Sequence, residues 1–252
     1  MQWSSKPSIQ VRVLSGVQIF YMEKPLASCV CVTFNRPKLL EELLFCFLQQ
    51  DYENKELIIL NDQPDVKYVY NDPRVKIYNL SNRFPSLGAK REYSKKLTSG
   101  EYIFITDDDD IYYSNHISKL LGHHVKFPEY DIIANKKRYY SEWNESVELV
   151  QVWNMPFNGA CISKKYWDNT SFPLDKSCAE DKDFIENAKV LNIDDEEPTF
   201  HYRWGLDVYH ISGLGGDGKE SYRTVTRNTP IEGNKIILLT PQICEKVELY
   251  YR

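Results

Sequence analysis

EYIFITDDDD, residues 101–110, decides how this chain is read. A run of strand-like, apolar character passes without a break into four consecutive carboxylates. Like charges about 4 Å apart repel by about 1 kcal/mol in water and by about 4 kcal/mol near a protein surface. A turn built this way needs a counter-charge. In open α/β sheets ligands bind beyond the carboxyl ends of the strands, and Asp107, Asp108, Asp109 and Asp110 fall at such an end. A hard divalent cation, Mn2+ or Mg2+, answers the charge problem, because it takes oxygen ligands and bridges carboxylates to phosphates. Asp107 and Asp109 form a natural pair on one ion. A calcium loop of EF-hand type is excluded, because its sixth place needs Gly and its twelfth Glu. Counted from Asp107, those places hold Tyr112 and Ser118. For the motif taken alone, a solvated acidic turn is the plain alternative.

Working outward, the same strand-to-polar pattern recurs. ASCVCVTF (27–34) is a near-continuous apolar run, as in a strand buried on both faces of a parallel sheet. KLLEELLFCFLQQ (38–50) carries Leu40, Leu44 and Leu48 at helical spacing, with Pro37 at the helix start. ELIILND (56–62) is a second buried strand, so 27–62 reads as a right-handed βαβ unit. VKIYNL (75–80) reads as a short strand, LGAKREYSKKLTSG (87–100) as a helix closed by Gly100, and 101–106 as a further strand. Three apolar strands thus end in Asn35-Arg36, Asn61-Asp62 and Asp107 to Asp110. If they are parallel, those ends meet at one edge.

The second half is more mixed. SNHISKLLGHH (114–124) predicts a helix capped by Ser114, and AEDKDFIENAKVLN (179–192) a helix that opens with acids, as its dipole favours. YDIIAN (130–135), ELVQVW (148–153) and GACIS (159–163) read as strands. TFHYRW (199–204) and DVYHI (207–211) read as strands or extended segments, GLGGDG (213–218) as a loop, and 221–252 as a tail with one apolar run, IILL (236–239).

Composition sets the outer bounds. With 42% hydrophobic and 27% charged residues, a buried core is expected rather than disorder. The net charge of −5 gives no indication of a nucleic-acid partner, though it leaves a local basic groove open. Six cysteines lack any CxxC pair and sit mostly in apolar segments, which points to a reducing, cytoplasmic location without structural zinc. No apolar leader and no transmembrane run is expected.

Taken in order, VCVTFNRP (30–37), ELIILND (56–62), SLGAKREYSKKLTSGEYIFITDDDD (86–110), NGACISKKYW (158–167) and AEDKDF (179–184) resemble a GT-A-fold glycosyltransferase of the family 2 type. The resemblance covers about residues 27 to 212. It implies an α/β fold, Rossmann-like, with a mixed, mostly parallel central sheet flanked by helices. It implies one domain over 1–252, with a nucleotide-sugar-binding half (27–110), an acceptor and catalytic half (111–212) and a C-terminal loop and tail (213–252). In similar enzymes the end of the first strand contacts the nucleotide, here Thr33, Asn35 and Arg36. Asp62 would meet the base. Arg91, with Lys90 as the alternative, would approach the ribose or diphosphate. Asp107 and Asp108 would lie on the donor side, and Asp109 would ligate the metal.

The resemblance also implies single displacement with inversion. Asp181 would be the general base on the acceptor hydroxyl, and Glu180 would orient the acceptor. His210 is the candidate third metal ligand and His201 its rival. Asn158 and Gly159 match the acceptor-side loop, and Trp204 or Trp153 could stack on a sugar. The donor expected is a UDP-sugar. The acceptor would be a glycan, a lipid-linked sugar or another hydroxyl compound. Val32 stands where the family often has Pro, and Glu92 where it often has Asn, which sets a negative charge near the expected diphosphate. Two other readings stand beside this one. One is a non-catalytic module that binds a metal or a glycan. The other is a glycosyltransferase acting on modified nucleic-acid bases.

Overall fold

The computed structural model describes residues 9–14, 17–22, 24–142, 147–151, 157–194, 197–204 and 235–243, with the backbone alone at 9–22, Glu142 and Trp204. An antiparallel hairpin, β1 (Ile9–Leu14) and β2 (Val17–Met22), comes first. The expected βαβ unit follows as β3 (Ala27–Thr33), α1 (Pro37–Leu48) and β4 (Lys55–Asn61). Pro37 opens α1, where its missing N–H costs nothing. Then come β5 (Val66–Val69), β6 (Val75–Asn79), α2 (Leu87–Ser94) with a 3-10 turn at Lys95–Leu97, and β7 (Tyr102–Ile105). The second half holds β8 (Ile111–Tyr112), α3 (His116–Lys126), β9 (Ile132–Asn135), β10 (Lys137–Glu142), β11 (Glu148–Gln151) and β12 (Cys161–Ser163). It closes with α4 (Lys164–Asn169), α5 (Glu180–Ile185), β13 (Val190–Ile193), β14 (Phe200–Trp204) and β15 (Lys235–Leu238).

The main sheet has the order β13-β9-β12-β7-β3-β4-β6. Its β7–β3, β3–β4, β4–β6 and β13–β9 ladders are parallel, and β12 runs antiparallel to both neighbours. This is the mixed, mostly parallel sheet expected. Every residue of β4 is buried, so the absence of apolar/polar alternation in ELIILN reflects cover on both faces. On one face Cys29, Cys31, Leu57 and Ile59 meet Leu40, Leu43 and Leu44 of α1. On the other, Val30, Ile103 and Ile105 meet Trp167, Phe172 and Phe184 under α4 and α5. A second sheet, β11-β10-β14-β8, meets the first at the aspartate turn, which runs from β7 into β8.

Several boundaries differ from the sequence expectation. Ser114 does not cap α3, because the helix starts two residues later behind Asn115. The helix expected over 179–192 stops at Ile185, and its apolar end, Val190–Ile193, extends the main sheet as β13. The IILL run is not a loose tail: β15 pairs in parallel with β5. DVYHI, GLGGDG, Trp153 and His210 lie outside the described residues.

Candidate active site

The three strand ends do converge. Thr33 of β3 lies beside Asn61 of β4, and β7, on the other side of β3, delivers the aspartates next to Thr33. Side chains then tie the ends together. Lys90 of α2, fully buried, donates to the Asp62 carboxylate at 2.5 Å and to the Thr33 carbonyl at 2.5 Å. The second Asp62 oxygen accepts from the Phe84 N–H at 3.0 Å. Burial lowers the Lys90 pKa from its ordinary value, and Asp62 works against that shift. Asn35 at this edge takes a left-handed conformation, φ 55°, which asparagine tolerates better than most residues.

Each aspartate of the turn has its own environment. Asp108 turns inward. Its oxygens accept from Thr33 Oγ1 at 2.5 Å and from Arg36 at 2.7 Å. Arg36 also reaches Asp109 at 3.1 Å. Burial works against the Arg36 charge, but Asp108 and Asp109 outweigh it and raise the guanidinium's pKa. Asp107 accepts from Arg91 at 3.2 Å, and the same guanidinium donates to Glu180 at 3.2 Å. One arginine thus couples the acidic turn to α5. Burial raises the Glu180 pKa, and Arg91 partly opposes that.

Asp110 is completely buried. Its Oδ1 accepts from the Arg203 N–H at 3.0 Å, while its Oδ2 has no hydrogen-bond partner among the described residues. Burial, then Asp109 and Asp107, push its pKa well above the ordinary carboxylate range. An ionised, half-satisfied carboxylate in such a place is costly. Asp107, Asp109 and Asp110 offer oxygens within 4.8 Å of one another, which suits the all-oxygen shell of Mg2+ or Mn2+. The orphaned Asp110 oxygen is the observation that makes the residues fit a cation.

Opposite the turn, α5 begins behind Ala179, held at φ 57°. Glu180 is buried and committed to Arg91, whereas Asp181 is half-exposed, with Oδ1 accepting from the Lys182 N–H at 2.9 Å. The Asn158–Gly159 turn lies over β14. Gly159 has φ 66°, and a Cβ there would meet the Phe200 ring at 3.0 Å. Glu92, the departure that set a negative charge near the expected diphosphate, points elsewhere: it accepts from the Phe172 N–H at 2.9 Å and from Lys95 at 3.2 Å.

Hydrogen bonds therefore join Thr33, Arg36, Asp62, Lys90, Asp108 and Asp109 in one group and Arg91, Asp107 and Glu180 in a second, and the two groups meet at the aspartate turn. His201 is not in the acidic cluster. It bonds Ser141 from the opposite face of β14, and burial drops its pKa to about 4. The Trp204 side chain lies outside the described residues. Sequence reading missed Asp110 as the third member of the cluster, and it missed Arg203. Arg203 donates to Glu42 at 2.7 Å and to the Asp109 carbonyl at 2.6 Å, and so clamps the turn onto α1. The available signal was Glu42, an acid beside Leu43 and Leu44 in an otherwise apolar helical stripe.

A profile of the family described as glycosyl transferase family 2 matches residues 28–183, more than half of the chain. The chain belongs to glycosyl transferase family 2. Among family relatives, the "Uncharacterized glycosyltransferase YwdF" of Bacillus subtilis (strain 168) is 35% identical over 97 residues, which are 37% of this chain and 36% of that protein. The GalNAc(5)-diNAcBac-PP-undecaprenol beta-1,3-glucosyltransferase of Campylobacter jejuni is 30% identical over 104 residues, which are 38% of this chain and 34% of that protein. The matches thus span about a third of each relative. Among solved structures, S. aureus TarS 1-349 in complex with UDP-GlcNAc has a TM-score of 0.55 at 16% identity, over 83% of this chain and 68% of that one. That likeness is one of fold, and the fold is the GT-A α/β fold expected. Among the described residues no helix is long and apolar enough to cross a membrane.

Proposed function

We propose that this family 2 chain transfers a sugar from a nucleotide-diphosphate donor to an acceptor hydroxyl, in a metal-dependent single displacement that inverts the anomeric centre. The observation that carries this reading is the cluster of Asp107, Asp109 and Asp110 at the carboxyl ends of parallel strands, with one buried carboxylate oxygen unsatisfied. These residues would hold Mn2+ or Mg2+, which when bound neutralises charge on the diphosphate leaving group. A UDP-sugar is the favoured donor, and the UDP-GlcNAc complex of TarS supports that choice. Thr33, Asn35, Arg36, Asp62, Lys90 and Arg91 would form the donor side. Arg91 binds both Asp107 and Glu180, which supports a role in holding α5 against the acidic turn.

Asp181 is the general base in this reading. A hydroxyl is a poor nucleophile near pH 7, and a carboxylate left open to solvent can accept its proton as the new bond forms. Glu180 is a positioning residue, acting through Arg91. Asn158 and Gly159 stand on the acceptor side. The acceptor class is a glycan or lipid-linked sugar, in keeping with the name of the Campylobacter relative.

The test is a donor panel of UDP-, GDP- and dTDP-sugars with wild type, Asp181→Asn and Asp109→Ala. Asp181→Asn should bind the donor as wild type does and lose transfer by about 100-fold or more. Asp109→Ala should lose metal-dependent donor binding. Transfer surviving in Asp181→Asn would remove the assigned base.

A further inference from the structure

The second sheet carries an arginine that the donor site does not use. Arg36 is committed to Asp108 and Asp109, Arg91 to Asp107 and Glu180, and Arg203 to Glu42. Arg138, on β10, makes no ion pair among the described residues. Its guanidinium carbon lies 4.3 Å above the centre of the Tyr202 ring, and its buried Nε has no acceptor among the described residues. Tyr202 in turn stacks on Tyr140, with ring centres 6.2 Å apart.

Register places this group relative to the reaction centre. Tyr140 pairs with Tyr202 across β10–β14, so both point to one face. The β14–β8 ladder pairs Phe200 with Tyr112 and His201 with Ile111. One further step sets Asp110 opposite Tyr202, and the bond from the Arg203 N–H to Asp110 holds it there. Along β14 the same face carries Phe200, the ring beneath Gly159. The row of Arg138, Tyr140 and Tyr202 therefore starts at the acidic cluster and runs outward from it. Its strands, β10 and β14, belong to the second sheet, whereas β3, whose end carries donor-side residues, belongs to the main sheet. The three side chains are partly open to solvent.

A guanidinium pinned on an aromatic face keeps its fork fixed for a planar or tetrahedral oxyanion. A half-buried cation without a counter-ion among the described residues calls for an anion. Burial lowers the Arg138 pKa from its ordinary value, and Asp110 is the charge that opposes this most. Two aspartates separate Asp110 from Asp107, yet no carboxylate of the turn reaches Arg138 as an ion pair among the described residues.

We propose that Arg138, held over Tyr202, binds an anionic group of the acceptor, so that the acceptor class is a sugar bearing a phosphate or phosphodiester near its reacting hydroxyl. This rests on the glycosyl-transfer reading above and deepens it at the acceptor side. Carboxylate-bearing sugars share the charge but lack the tetrahedral oxygens. They are the comparison arm of the test.

The experiment is calorimetric titration of the full chain, with and without saturating UDP and Mg2+. The probes are glucose 1-phosphate, glucuronic acid and methyl glucoside. Wild type should bind glucose 1-phosphate at least about tenfold more tightly than methyl glucoside, with glucuronic acid between them. In Arg138→Gln the phosphate preference should collapse to within about twofold, while UDP–Mg2+ affinity stays within about twofold of wild type. Arg138→Lys should keep part of the preference and guards against a fold defect in the Gln variant. The proposal is overturned if wild type shows no preference for the phosphate, or if the preference survives in Arg138→Gln. It is also overturned if Arg138→Gln weakens UDP instead, because the anion would then be the donor's own diphosphate. Failure of wild type to bind UDP–Mg2+ would sink the transfer reading. The titrations without nucleotide would still decide what Arg138 binds.

Discussion

Asp110 carries the clearest electrostatic cost in the site. Its Oδ2 is buried without a partner, and Asp109 and Asp107 lie beside it. An acid whose folded pKa is raised contributes stability below its ordinary pKa and loses it as pH rises through the folded value. Asp110→Asn mimics the protonated acid at every pH. The variant should therefore be more stable than wild type by at least about 1 kcal/mol at pH 8, when no metal is present. The two should converge near pH 4 in urea titrations. The same variant should lose the stabilisation that Mn2+ with UDP gives wild type. A destabilised variant at pH 8 would mean that Asp110 is satisfied in a way the geometry does not show. At this scale the sequence was partly legible. Four adjacent aspartates announced a charge problem, but which three would converge depended on the turn's shape, and the inward twist of Asp108 onto Thr33 and Arg36 is a property of that shape.

Among the elements, α5 has the heaviest consequence for the site. It spans only Glu180–Ile185, too short to be stable alone, and it is anchored by Phe184. That ring stacks on Phe172 at 4.1 Å and meets Trp167 edge-on at 5.6 Å. Phe184→Ala should cost about 3–5 kcal/mol of stability by denaturant titration. Transfer activity should fall further than the folded fraction does, since Glu180 and Asp181 ride on this helix. The Asn158–Gly159 turn is the second such element. Gly159→Ala places a side chain at positive φ against Phe200, a strain of about 1–2 kcal/mol. Donor affinity of that variant should stay near wild type while the KM for acceptor rises. The parallel strands β3, β4 and β7 were legible because full burial leaves an unbroken apolar signature. The end of α5 was not: AKVLN continues a helical pattern locally, and only the open edge of β9 makes Val190–Ile193 a strand. The pairing of β5 with β15 joins residues far apart in sequence, which local pattern does not reveal.

For the whole molecule, three buried histidines, His116, His124 and His201, contribute to the response to acid, each with its pKa lowered by burial. His116 bonds Thr199 through Nδ1, and burial drops its pKa to about 3. His201 falls to about 4, by burial and then by Arg203. Both are neutral in the fold and ordinarily titrate near 6.5, so below that value the unfolded chain takes up protons that the folded chain refuses. Stability present above pH 6.5 is lost as pH falls toward 4, at about 1.4 kcal/mol per unit for each histidine. His116→Gln should flatten that slope by about one proton's worth in urea midpoints measured at several pH values. An unchanged slope would show that His116 is protonated in the fold. The broader architecture follows from charge as well as burial. Arg36, Arg91 and Arg203 each bind an acid from a different element, and together they hold α1, α2, α5 and β14 around the aspartate turn.

The central claim is that the acidic turn exists to bind a nucleotide diphosphate through a divalent cation. The most direct measurement is calorimetric titration of UDP into the metal-free chain and into the chain with excess Mn2+, for wild type and Asp109→Ala. The account predicts that UDP binds wild type at least about tenfold more tightly with Mn2+ than without it, and that Asp109→Ala removes the difference. Equal UDP affinity with and without the ion, or a metal effect that survives in Asp109→Ala, would contradict it.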